Sequence, residues 1–172
     1  MIVTCTVYLA FAPFLPEITF LMARKTQPNH PPARRMSEPQ APSYHRLIIP
    51  AIGVDAQVHE GESATEVLKK GLWRRPHTST PDKGGNTVIV AHRFLYTSGT
   101  NTFYHLPKIR IGDQVSLWWK GKLHSYTVTE TMTVDSDHAE IEAESTSPQL
   151  TLYTCTPLWT SAKRFVVVAK PT

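Results

Sequence analysis

Asp113 to Val134 reads DQVSLWWKGKLHSYTVTETMTV. Its flanks are rich in Val, Trp, Tyr and Thr, residues that suit a pleated, half-buried surface, and Lys120-Gly121-Lys122 between them is a turn signal. The stretch predicts a β-hairpin. The same grammar repeats on either side of it. Upstream, HRLIIPAIGVDAQV (45–58) gives two short β-like runs split by Pro50 and Gly53, and TVIVAH (87–92) is a continuous apolar run of the kind a fully buried strand shows. Downstream, LTLYTC (150–155) alternates and KRFVVVAK (163–170) closes the series. Between these lie turn chemistry in TPDKGGN (80–86) and a helical turn expected in NTFYHLPKI (101–109), before Pro107. One short helix is expected in SATEVLKKG (63–71), with Ser63 as cap, Glu66 completing a capping box and Gly71 as the stop. Seven or eight short strands with one or two small helices predict a mainly β fold, an antiparallel barrel or sandwich.

The chain ahead of Tyr44 reads differently. Met1 to Ala23 is strongly apolar and long enough to span a bilayer, which needs about 20 residues. Pro13, Pro16 and Glu17 make it a poor helix interior, and it lacks the basic start and cleavage site of a signal peptide. Residues 1–25 are therefore expected to form a membrane-anchor segment, residues 26–43 an extended proline-rich tether, and residues 44–172 the folded domain. Arg24 and Lys25, directly after the apolar segment, favour a cytoplasmic position for the tether and domain.

The net charge of +4 is spread over scattered basic residues with no nucleic-acid-binding module, which argues against a nucleic-acid partner and suits an anionic envelope or membrane surface. The two cysteines, Cys5 and Cys155, form neither a disulfide scaffold nor a zinc site. No metal site and no cofactor are expected.

Cys155 raises a separate question. Alternation points Thr151, Tyr153 and Cys155 to one face and Leu150, Leu152 and Thr154 to the other, and Pro157 cannot extend the ladder. The thiol therefore sits at a strand end, where a sheet opens. A nucleophilic thiol needs a proton-handling partner, and acyl transfer needs a donor for the oxyanion. His92 closes the buried run TVIVAH, and Arg164 opens the last strand nine residues after Cys155, a distance that lets the two strands pair antiparallel. Spacing alone leaves the bland readings open: a buried inert thiol, a satisfied core histidine, an edge arginine.

Three blocks then carry a resemblance. TLYTC (151–155) resembles the Thr-Leu-any-Thr-Cys strand of the sortases, NTVIVAHR (86–93) their histidine strand, and SAKRFVVVA (161–169) their arginine strand, in family order. The resemblance spans about Tyr44 to Lys170. It implies an eight-stranded sortase-type β-barrel with one or two short helices. It implies that Cys155 is the nucleophile, His92 the general acid/base and Arg164 the group holding the substrate carbonyl and oxyanion. It implies that Thr154 lines the cleft, with Arg93 and Trp159 beside it as substrate-binding residues. The implied reaction is transpeptidation: the thiol cleaves a C-terminal sorting motif similar to Leu-Pro-x-Thr-Gly through a thioester, which an amine on a cell-wall precursor or pilin then resolves. Sorting-motif-bearing surface proteins would be the partners, and the catalytic domain would lie outside a bacterial cytoplasmic membrane, against the charge bias of Arg24 and Lys25. A thiol hydrolase and a non-catalytic envelope β-domain are the alternatives. Asp135, Asp137, Glu140, Glu142 and Glu144 fall near where some relatives bind calcium, but their spacing is not an EF-hand loop, so a solvated acidic loop is expected. Ala91 stands where many relatives carry glycine.

Overall fold

A computed structural model describes residues 41–93, 101–158 and 160–172. The anchor segment, nearly all of the tether, and Trp159 lie outside the described residues. Among the described residues no helix is long and apolar enough to cross a membrane.

Eight strands form the domain: β1 (Arg46–Ile49), β2 (Val54–His59), β3 (Leu72–Arg74), β4 (Asn86–Val90), β5 (Gln114–Trp119), β6 (Lys122–Asp135), β7 (Gln149–Thr156) and β8 (Lys163–Pro171). They close into a barrel in the order β1-β2-β3-β4-β7-β8-β6-β5. The fold is thus a closed barrel and not a sandwich, and it is not wholly antiparallel: β2–β3 and β4–β7 run parallel. Parallel neighbours need a crossover, and here the chain between β4 and β7 includes the whole β5–β6 hairpin.

That hairpin turns at Lys120 and Gly121, whose φ values of 48° and 75° give the primed-turn twist that matches paired strands. Strand β6 runs on for 14 residues and serves two neighbours, β5 with its first half and β8 with its second. A register shift between Val128 and Glu130 bends it from one to the other.

The interior is filled by Leu47, Leu117, Trp119, Leu152 and Val167, each at most 1% exposed. A second apolar layer covers the outside of the sheet, where Val88, Val90, Tyr153 and Val166 pack with Val67, Trp73 and Ile141. Strand β4 is consequently buried on both faces, which is why its sequence is a continuous apolar run and not an alternating one.

The helix is shorter and differently held than its sequence suggests. Helix α1 covers only Ala64–Val67, and Ser63, although at the N-cap position with extended backbone, makes no side-chain cap bond. A single turn is closed by the Val67 and Leu68 amides donating to the Ser63 and Ala64 carbonyls at 3.0 Å, and Val67 anchors it beside Trp73. The capping box is not formed. The helical turn expected before Pro107 is a 3-10 turn, Leu106–Lys108, that takes the proline into its first positions.

Candidate active site

Strands β4, β7 and β8 are neighbours, and their register fixes the site. In the parallel pair β4–β7, Val90 stands opposite Tyr153. Two contacts carry this register past the end of β4. The Thr154 hydroxyl donates to the Ala91 carbonyl at 2.9 Å, and the Arg93 Nη1 donates to the Thr156 hydroxyl at 2.9 Å. His92 and Cys155 lie between these two ties, side by side. On the far side of β7, Cys155 is directly opposite Arg164 in the antiparallel β7–β8 pair. Adjacent strands are about 4.8 Å apart. Residue parity places all three on the outer sheet face, with Val90, Tyr153 and Val166.

Each of the three is half-buried. The Cys155 thiol is free. Burial pushes the His92 imidazole below its ordinary 6.5. A lowered pKa leaves the His92 imidazole predominantly neutral at pH 7, so the imidazolium grows scarcer as pH rises. The same shift has a stability consequence. A folded-state pKa below the unfolded value makes His92's contribution fully present above pH 6.5, and it is lost as pH falls through the lower folded value. Histidine-selective NMR, with the His92 signal assigned by its absence from His92→Ala, should give a midpoint below 6.5. A midpoint at or above that value would rule out burial as the controlling effect.

Arg164 donates from Nη1 to the Ser161 carbonyl at 3.0 Å and the Lys163 carbonyl at 3.1 Å. These bonds hold the guanidinium by one nitrogen, and its planar fork offers further donors. Beside it lies a cleft of about 290 Å³ lined by Arg75, His138, Ile141, Glu142, Tyr153 and Arg164 among others. Chemically, the row offers a nucleophile, a proton carrier and a multidentate donor in one line across three strands, with a cleft at the donor end. Among the described residues no group of three or more His, Cys, Asp and Glu side chains has a metal-holding arrangement.

The other expected site residues fall in different places. Thr154 is 0% exposed and faces the barrel interior, so it does not line the cleft; its hydroxyl ties the ends of β4 and β7. Alternation requires this, because a residue adjacent to an outward Cys155 must point inward. Arg93 reaches across to Thr156, one residue past the cysteine. Trp159 is outside the described residues. The acidic stretch is not simply solvated, since Glu142 takes both Arg75 and Tyr153 as partners. Tyr153 is a site neighbour that sequence reasoning placed on the cysteine's face without giving it a role. Glu142 and Arg75 carried no local signal that would pair them.

The described residues thus form a closed β-barrel that carries a free thiol, an imidazole and a guanidinium at the ends of adjoining strands. A family model of the sortase domain matches residues 47–172, and the chain belongs to the sortase family. Sortase A of Listeria monocytogenes is 27% identical over 124 residues, covering 72% of this chain and 54% of its own length. The chain spans about half the length of the curated relatives it matches. Among solved structures, sortase C1 of Streptococcus agalactiae, in complex with MTSET, is 30% identical with a TM-score of 0.67, covering 74% of this chain and 66% of that one. Sortase C-1 of Actinomyces oris shares the fold with a TM-score of 0.68 at 24% identity, covering 74% and 72% of the two chains.

Proposed function

We propose that this chain is a sortase-type cysteine transpeptidase. The observation that carries the reading is the register that brings the end of β4, with His92 two residues beyond it, alongside Cys155 on β7 and Arg164 opposite it on β8. The Cys155 thiol gives its proton to His92, and the resulting thiolate attacks the carbonyl carbon of a Thr–Gly-type bond in a sorting motif similar to Leu-Pro-x-Thr-Gly. Arg164 donates to the carbonyl oxygen as it becomes an oxyanion, which is where preorganised charge lowers a barrier most. The imidazolium of His92 protonates the leaving amine, the C–N bond breaks, and a thioester remains on Sγ. An amine on a cell-wall precursor or pilin subunit then attacks the thioester, neutral His92 takes its proton, and the thiolate leaves.

The partners in this reading are surface proteins with C-terminal sorting signals. The catalytic domain works on the outer side of a bacterial cytoplasmic membrane, held by residues 1–25 through the tether of residues 26–43. The apolar character of the first segment and the proline content of the second support that arrangement.

Product identity tests the reaction. The full chain is incubated with a library of C-terminal-motif peptides, with and without a saturating primary amine, and products are read by mass spectrometry. The expected product with amine is the N-terminal fragment joined to that amine. Hydrolysed fragment alone at saturating amine would assign a thiol hydrolase. Absence of cleavage, with iodoacetamide reacting at Cys155 only on unfolding, would assign a non-catalytic β-domain.

A further inference from the structure

We propose, building on the transpeptidase reading above, that Glu142 is a positioning residue that docks residues 136–148 onto the outer sheet face and so fixes the cleft wall shared with Arg164. The carboxylate accepts from the Arg75 Nε at 2.8 and 3.0 Å through its two oxygens, and from the Tyr153 hydroxyl at 2.5 Å. Arg75 is itself held over the Trp73 ring, 4.6 Å from its centroid. Burial and the Glu142 carboxylate raise the Tyr153 phenol well above its ordinary range, so it remains a donor.

The residues on either side of Glu142 are tied as well. Asn86, 2% exposed, donates from Nδ2 to the Ile141 carbonyl at 3.1 Å and the Ala143 carbonyl at 2.9 Å. The Thr151 hydroxyl donates to Asn86 Oδ1 at 2.7 Å and so orients that amide. The side chain of Ile141 packs into the outer apolar layer. Three consecutive residues, 141–143, are thus stapled by main chain, apolar contact and charge.

The stretch just before them is exposed from Ser136 to Glu140. Its turns close on themselves, with the His138 amide donating to Asp135 and the Ala139 amide to Asp137. His138 and Ala139 line the cleft together with Arg164, so the staple at 141–143 governs where that wall stands. Tyr153 lies two residues before Cys155 on the same face, so the clamp and the nucleophile share one strand. Because Arg75–Glu142 and Tyr153–Glu142 are charge-assisted bonds in a half-buried setting, they are stronger than neutral ones.

The test uses the full chain as Glu142→Gln, Tyr153→Phe and the double variant, both changes keeping side-chain size. Hydrogen–deuterium exchange over residues 136–148 should accelerate about tenfold in Glu142→Gln, the loss of a charged hydrogen bond. KM for a cleaved sorting-motif peptide should rise about five- to tenfold with kcat within about twofold, because the wall shapes binding. Alkylation of Cys155 by iodoacetamide should be unchanged. The double variant should be no worse than Glu142→Gln plus a small remainder, since both changes act on one bond. Unchanged exchange, faster exchange with an unmoved KM, or additive effects in the double variant would each overturn the clamp. If the unmodified chain acylates on no peptide, the transpeptidase reading falls and exchange alone decides: acceleration keeps the clamp, its absence rejects it.

Discussion

Cys155→Ala is expected to abolish the covalent adduct formed with a sorting-motif peptide and to bring turnover down to background. The loss should be about 10⁴-fold or more, since groups that act as a unit in nucleophilic catalysis leave little when the nucleophile goes. The substitution is small in structural terms. Cys155 is half-buried near the end of β7, two residues before Pro157, and makes no disulfide, so circular dichroism and the thermal transition should stay close to those of the unmodified chain. Intact-protein mass spectrometry after mixing with a cleavable peptide reads the result directly. A thioester mass retained in the alanine variant would remove Cys155 from the role of nucleophile, whatever the turnover.

Arg164→Ala should lower kcat/KM by about 10² to 10³, the range found when one preorganised oxyanion donor is removed. The charge-conserving Arg164→Lys separates charge from geometry. A lysine keeps the positive charge but replaces a planar fork with a single flexible point, so it should recover only a minor part of the loss. Rates of thioester formation, measured by rapid quench, are the appropriate readout because the oxyanion develops in that step. Near-normal acylation in Arg164→Ala, with the fold intact by circular dichroism, would reject the oxyanion role. Full recovery in Arg164→Lys would show that a diffuse charge is sufficient and that the cross-strand register with Cys155 is not what matters.

Much of this was legible in local sequence, for a physical reason. Strand alternation is a two-residue property, so LTLYTC alone puts Cys155 and Tyr153 on one face and Leu152 on the other, and the structure makes the first face the outer one. A run such as TVIVA signals burial on both faces without revealing what covers them. The two apolar layers around β4 answer that question. Parity also carried a consequence for Thr154 that the resemblance obscured: a neighbour of an outward cysteine is inward, and the structure has it buried. Closure of the barrel and its two parallel contacts depend on how distant strands meet, which no window of residues encodes. The Arg75–Glu142 pair joins positions 67 residues apart, and Glu142 looks no different in sequence from Glu140 or Glu144, which remain exposed. Ser63 and Glu66 show the converse, a well-formed local signal that a one-turn helix held by Val67 does not use.

The parallel pairing of β4 with β7 has a kinetic consequence. Ala91 and Thr154, bonded to each other, are 63 residues apart along the chain, with the quickly closing β5–β6 hairpin lying between them. Loop-closure entropy opposes such distant contacts until other structure has shortened the effective path, and nonlocal pairings of this kind slow folding. The register that carries His92 toward Cys155 is thus one of the fold's nonlocal pairings, and its formation counts among the steps that slow folding of the domain.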